Sequence, residues 1–302
     1  MSSEFPPADR PTVGFVGLGL MGGPMSVVMS QEFPTVGSDL ARSPGKDTDG
    51  EGLRILADPV AVAEVADVIC LSLPSPQASI DVTRAIAESA HKRVKLIVEL
   101  STVGIGAVQT CCGIAEQAGL GYVDAPVSGG VAKASTGELS IMAAGRPEHI
   151  AAARPILEQI SSRLFVMGDR AGLGQAMKLA NNIVAATSLA ITSEAVVFGT
   201  RAGLDMAQMI EVLNASTGRT ESSEVKFPRN ILTGLYRQGA RSAILHKDVR
   251  LYVSDAKRTH APVLVAAATD RIWEEFYLDQ PDVDISYIYK YIQDMLSDET
   301  RS

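Results

Sequence analysis

Lys178 and Asn182 stand four residues apart in the stretch Gly172-Leu173-Gly174-Gln175-Ala176-Met177-Lys178-Leu179-Ala180-Asn181-Asn182, whose other members are mostly apolar. On a helix that spacing projects both side chains from one face, where they can reach a single bound group. Lysine suits proton transfer because an ε-amine gives up its charge readily when it is desolvated or set near a second cation. Taken alone, a helical lysine is more often a solvated surface residue. Ser128-Gly129-Gly130 offers a hydroxyl and backbone N–H groups with no side chains in the way, which suits either a plain glycine turn or a seat for a carboxylate.

A third cluster, Gly17-Leu18-Gly19-Leu20-Met21-Gly22, has G-x-G-x-x-G spacing and lies between the strand-like TVGFVG and an apolar stretch from Met25 to Met29. Strand, glycines and helix in that order form a pyrophosphate cradle. Gly17 permits the tight turn, Gly19 admits the phosphates to the backbone, Gly22 lets helix and strand pack, and the helix N-terminus supplies free N–H groups. Asp39 follows a second strand at Thr35 to Ser38, 22 residues beyond Gly17. A carboxylate there accepts from both ribose hydroxyls and repels a 2′-phosphate. NAD is the expected cofactor, with NADP left open by Arg42, three residues further on.

Such residues need a scaffold that holds them at one sheet edge. Further strands are expected at Val68 to Leu73, Leu96 to Leu100, Gly121 to Val123 and Leu164 to Val166, separated by Ala-rich amphipathic stretches of helical length. That alternation predicts an α/β fold with a parallel sheet covered by helices on both faces, the Rossmann dinucleotide-binding arrangement. From Gly172 onward the period is helical, over Gln175 to Ala202, Met206 to Asn214, Lys247 to Ala256, Leu264 to Phe276 and Ile285 to Leu296, and nothing reads as a strand. The expected division is therefore a cofactor domain over 1–170 and an all-helical domain over 171–302, with a surface loop at Pro44 to Gly52.

Composition agrees with two domains: 302 residues, 46% hydrophobic, 21% charged and only 5% aromatic, enough for cores built from aliphatics. A net charge of −8 repels polyanions, so nucleic acid is not an expected partner. Three cysteines, two of them the adjacent Cys111 and Cys112, make neither a disulfide framework nor metal-ligand spacing. The opening MSSEFPPADRP has acids and prolines where a signal peptide needs a basic start and an apolar run. Unbroken apolar runs such as Ala261 to Ala268 fall short of the ~18 residues that span a bilayer. A soluble cytoplasmic protein with no membrane partner is expected.

GFVGLGLMGGPM (14–25), DAPVSGGVAKASTGELSIMAAG (Asp124 to Gly145) and GLGQAMKLANN (Gly172 to Asn182), in that order and at these separations, resemble the β-hydroxyacid dehydrogenases, the group that includes 3-hydroxyisobutyrate dehydrogenase and tartronate semialdehyde reductase. LSLP at Leu71 to Pro74, Ser101-Thr102, STGR at Ser216 to Arg219 and Lys247-Asp248 extend the resemblance over nearly the whole chain. It implies a Rossmann domain, a long interdomain helix, an all-helical C-terminal domain used for assembly, a substrate cleft between the domains, and a homodimer or homotetramer. It implies hydride transfer between NAD and a small 3-hydroxy acid or the matching semialdehyde. Lys178 then resembles the catalytic lysine and Asn182 holds it or the substrate oxygen in register. Ser128, Gly129 and Gly130 take the substrate carboxylate, Lys247 stands near cofactor and substrate, and Leu18, Leu20, Met21, Leu73, Pro74 and Thr102 line the cofactor. Val131, Arg219, Phe227 and Tyr236 are expected at the substrate's variable end. Glu99 departs from the Asp usual before Ser-Thr, and Gly104 lacks the proline that often follows. Two alternatives stay open: an imine reductase of the same architecture, in which the lysine is usually replaced, and a non-catalytic dinucleotide-binding scaffold.

Overall fold

The computed structural model describes residues 10–44 and 52–299, with side chains described to residue 295. The chain divides into two compact units, Met1–Lys178 and Leu179–Ser302. All but the end residues of the expected loop at 44–52 lie outside the described residues.

The first unit is built on a nine-stranded sheet. Strands β1 (Val13–Val16), β2 (Thr35–Ser38), β3 (Leu53–Ile55), β4 (Val68–Leu71), β5 (Leu96–Glu99) and β6 (Gly121–Asp124) are parallel in the order β3-β2-β1-β4-β5-β6. Both faces are covered, so these strands read as continuous apolar runs. Alternate residues feed opposite cores: Val68, Cys70, Leu96 and Val98 on one face, Ile69, Leu71 and Ile97 on the other. Helix α1 (Gly22–Ser30) packs on the first face through Met25, Val28 and Met29. Helices α2 (Pro59–Val65), α3 (Pro76–Glu88) and α4 (Ile105–Gln117) cover the second through Val62, Ile86, Val108 and Cys111. The starts of α2 and α3 are set locally, by Asp58 accepting from Ala61 N and Ser75 from Ala78 N, each followed by proline at the first helical position.

The expectation of a purely parallel sheet is corrected at its far edge. Strands β7 (Val127–Ser128) and β8 (Leu139–Ala144) were not expected, and β8 runs antiparallel to both β6 and β7. The reason is the short helix in the connection. Between β6 and β8 the chain pairs as β7 and its only helix, α5 (Gly130–Ala134), has five residues, too short to run back along the sheet face as the helix of a parallel crossover does. The next connection carries the 13-residue α6 (Pro147–Gln159), and β9 (Ser161–Gly168) accordingly lies parallel to β8.

Helix α7 (Leu173–Arg201) is 29 residues long, begins in the first unit and continues into the second. By length and composition it could cross a bilayer, with mean hydropathy 1.5, and half of its most apolar window is buried within the fold. Counting unbroken apolar runs overlooks it, because Asn, Thr and Ser interrupt the run. The second unit continues with α8 (Met206–Ala215), α9 (Ser242–Arg258), α10 (Leu264–Asp279) and α11 (Ile288–Glu299). Its core centres on Trp273, Phe276 and Phe227, all fully buried, with Trp273 Nε1 donating to Ala186 O at 3.3 Å. Ser222–Ile231 forms a π-helical segment containing Pro228. A search for 3.6-residue periodicity does not register a coil that wide.

Candidate functional site

The glycine-rich turn follows β1, Asp39 follows β2, Leu73 and Pro74 follow β4, and Thr102 follows β5. The parallel registers Val16–Ser38, Val16–Leu71 and Leu71–Glu99 bring all these segments to one carboxyl edge of the sheet, where open α/β sheets bind their ligands. Gly17 has φ +89°, and a Cβ there would fall 2.2 Å from Ser72 O; one on Gly22 would fall 1.9 Å from Gly17 O. At Gly19 a Cβ would meet no protein atom within 4 Å. The absent side chain there leaves space that packing does not use, which fits a pyrophosphate. Asp39 Oδ2 accepts from Leu18 N at 2.6 Å and Oδ1 from Ala41 N at 2.8 Å, so the acid ties the turn to the end of β2. Arg42 folds back to donate to Leu18 O at 3.3 Å and lines, with Gly19, Gly23 and Ser135, a groove of about 320 Å³. Leu20 is exposed and Met21 half-buried, whereas the Leu18 side chain belongs to the core. Another cavity, about 310 Å³ between Glu116, Arg146, His149 and Arg170, contains none of the expected site residues.

Ser128 ends β7, and Gly129 (φ +142°) and Gly130 (φ +70°) turn the chain into α5, both exposed. In the same sheet, sequence reasoning overlooked a buried polar network. Glu99 and Asp124 are register partners on β5 and β6, both wholly buried. Ser101 N donates to Glu99 Oε1 at 3.0 Å, and Ser101 Oγ accepts from Leu73 N at 2.7 Å. Asp124 Oδ2 accepts from Gly172 N and Gln175 N, at 2.9 and 3.0 Å. The only signal in the sequence is an acid at each of two adjacent strand ends.

Burial pushes the Glu99 carboxyl up to about 7, against the hydrogen bonds from Ser101, and that of Asp124 up to about 6, against those from Gln175 and Gly172. Folding therefore raises the proton affinity of both acids. Their stabilising share is complete below about pH 4 and is lost as pH rises through about 6 for Asp124 and about 7 for Glu99. The fall in Tm between about pH 5 and about pH 7.5 should be smaller by a few degrees in Glu99→Gln than in the wild type. Calorimetry across that window checks it; an unchanged slope would show that Glu99 is already ionised at acid pH.

Lys178 lies on α7 and is 8% exposed, so it is not the solvated surface lysine that its type alone suggests. In the second unit Asn182 Nδ2 donates to Asp248 Oδ2 at 2.7 Å, while Asp248 Oδ1 stands 2.9 Å from Lys247 Nζ. Asp248 thus joins Asn182 to Lys247, a role that the Lys-Asp pair did not disclose in sequence. Asn182 Oδ1 accepts from Asn181 Nδ2 at 3.0 Å. Two residues expected at the substrate's variable end are core instead: Phe227 is 0% exposed and edge-on to Tyr289, and Tyr236 packs against Tyr287. The π-helical segment turns Phe227 inward. Arg219 is exposed and pairs with Glu224 at 3.6 Å.

The profile of the NAD binding domain of 6-phosphogluconate dehydrogenase matches residues 12–168, and that described as NAD-binding of NADP-dependent 3-hydroxyisobutyrate dehydrogenase matches residues 172–292. The chain is 32% identical to the mitochondrial 3-hydroxyisobutyrate dehydrogenase of Mus musculus, covering 95% of this chain and 88% of that protein. It is 31% identical to 2-(hydroxymethyl)glutarate dehydrogenase of Eubacterium barkeri, over 87% of this chain and 88% of that one. The structure of Mycobacterium tuberculosis 3-hydroxyisobutyrate dehydrogenase with L-serine superposes with a TM-score of 0.84 at 28% identity, covering 94% of this chain and 99% of that one. With the dinucleotide turn, the buried lysine and these matches along its length, the chain belongs to the β-hydroxyacid dehydrogenase family.

Proposed function

We propose that this protein is an NAD-dependent dehydrogenase that interconverts a small 3-hydroxy acid and its semialdehyde. The nearly buried Lys178, 8% exposed in the GLGQAMKLANN stretch, carries the reading. The names of the two relatives describe one chemistry, a hydroxymethyl group on the carbon next to a carboxylate. Residues 1–170 would hold the cofactor; residues 171–302 would contribute to substrate binding and to assembly as a homodimer or homotetramer. We assign no nucleic-acid or membrane partner, and the free Cys70, Cys111 and Cys112 suit a reducing compartment such as the cytoplasm.

Gly17, Leu18, Gly19, Leu20, Met21 and Gly22 would hold the pyrophosphate, Asp39 the ribose hydroxyls, and Leu73, Pro74 and Thr102 the nicotinamide side. Bound NAD supplies the hydride acceptor. In oxidation the neutral amine of Lys178 takes the hydroxyl proton while the carbinol C–H bond breaks; in reduction the ammonium returns it to the carbonyl oxygen. Ser128 Oγ with the N–H groups of Gly129 and Gly130 receives the carboxylate, and the charge of Lys247 favours the anion. Asn182, steadied by Asp248, keeps the reacting oxygen in register.

Nicotinamide absorbance over a panel of 3-hydroxy acids, with NAD and with NADP, tests the reading. Turnover is expected with short hydroxy acids, and none with any member would overturn it. NAD should give the higher kcat/KM, because the Asp39 carboxylate meets a 2′-phosphate with like charge. Equal or better values with NADP would show that Arg42 makes the choice instead.

A further inference from the structure

Gln175 is wholly buried, and its side-chain amide makes four hydrogen bonds. Oε1 accepts from Val103 N at 2.9 Å and Gly104 N at 3.0 Å. Nε2 donates to Ser101 O at 3.0 Å and to Asp124 Oδ1 at 2.9 Å. One planar amide therefore clamps the turn that follows β5, the acid that ends β6 and the first turn of α7. Close packing leaves the clamp little slack, since a Cβ on Gly174 would fall 2.3 Å from Met142 O and 2.9 Å from Asp124 Oδ2. Thr102 lies inside the clamped turn, Ser101 holds Leu73 N, and Lys178 follows Gln175 by three residues on α7. Every group in this chain of contacts belongs to the first unit.

We propose that Gln175 is a positioning residue, which sets the geometry between the Thr102 turn on the cofactor side and the α7 turn that carries Lys178. The inference rests on the reading of Lys178 as the proton carrier. An apolar residue of similar size would leave two backbone N–H groups, one carbonyl and one carboxylate oxygen buried without their partners, and the turn and the helix would move apart to recover water. Displacements of about 1 Å remote from the chemistry can lower rates by about 10²-fold.

Gln175→Leu is accordingly expected to lower kcat by about 10²-fold and to weaken NAD binding several-fold by titration, while the KM for the hydroxy acid changes little, because Ser128 to Gly130 lie outside the clamp. A merely structural staple would lower Tm and leave kcat and NAD affinity of the folded protein within about twofold; that result would overturn the proposal. Gln175→Glu keeps the one acceptor oxygen that serves Val103 N and Gly104 N and replaces the amide nitrogen, donor to Ser101 O and Asp124 Oδ1, by an oxygen, so it decides the matter even if the leucine variant does not fold. The titratable groups around that position are Asp124 and Tyr122 on β6, Glu99 on β5, Cys112 on α4 and Lys178 on α7 itself. With both carboxylates ionised the contact to Asp124 is repulsive; one shared proton restores the bond to Asp124, while the bond to Ser101 O stays lost. Reductive kcat of Gln175→Glu, relative to wild type, should rise about tenfold from about pH 8 to about pH 6, and a flat ratio would overturn the proposal. If Lys178→Ala kept its turnover the proton-carrier reading would fail, yet the loss of NAD affinity in Gln175→Leu would still report on the clamp.

Discussion

Lys178→Ala should lower kcat by about 10²–10⁴-fold, the range contributed by a positioned acid or base, with NAD affinity essentially unchanged. The separation follows from the assigned role. Lysine in that role moves a proton on the substrate oxygen, whereas the NAD pyrophosphate and ribose are assigned to other strands of the same carboxyl edge, to the turn after β1 and the acid after β2. Burial makes the substitution informative, because an 8%-exposed lysine leaves little room for solvent to act in its place. Steady-state kinetics gives kcat and calorimetric titration gives the NAD affinity. A variant retaining more than about a tenth of wild-type kcat, or one that no longer binds NAD, would show that the lysine serves something other than proton transfer.

The second large effect concerns the substrate. A site whose donors face an anion loses charge-assisted hydrogen bonds when a neutral analogue binds, at about 1.5–3 kcal/mol for each bond. A 3-hydroxy acid should therefore exceed its amide or the matching simple alcohol by about 10²–10⁴-fold in kcat/KM. Ser128→Ala should narrow that ratio by reducing turnover of the acid and sparing the neutral compounds. The glycine conformations contribute to the expectation: at φ +142° and +70°, Gly129 and Gly130 keep backbone and no side chain at the exposed bend after β7. If the neutral compounds turned over as well as the acid, Ser128-Gly129-Gly130 would be a structural bend and imine or simple alcohol reduction would become the better reading.

Much of the scaffold was legible because its signals are local. The β1 strand and its glycines, the strand at Thr35 to Ser38 and the helices from α7 to α11 are each announced by residues within one or two turns of themselves. The antiparallel return through β8 was less so, since LSIMAA reads equally as part of an Ala-rich helix; its direction depends on how short α5 is. Phe227 shows the limit on side chains. Its type and place near STGR are compatible with a pocket, and only the wide coil of Ser222–Ile231 sends it into the core.

By itself, then, the order of residues determined the dinucleotide turn, the acid that follows the second strand, the lysine four residues ahead of an asparagine, and the family in which those motifs occur together. Each is a matter of spacing within a few residues, or of which residue types stand at strand ends. Tertiary structure decided the partners. Asp124 meets Gln175 across 51 positions, Gln175 meets Ser101 across 74, and Asn182 meets Asp248 across 66. Nothing in local periodicity encodes such pairs, because they form only when buried polar groups, shut off from water by packing of the sheet and helices, must find one another to be satisfied.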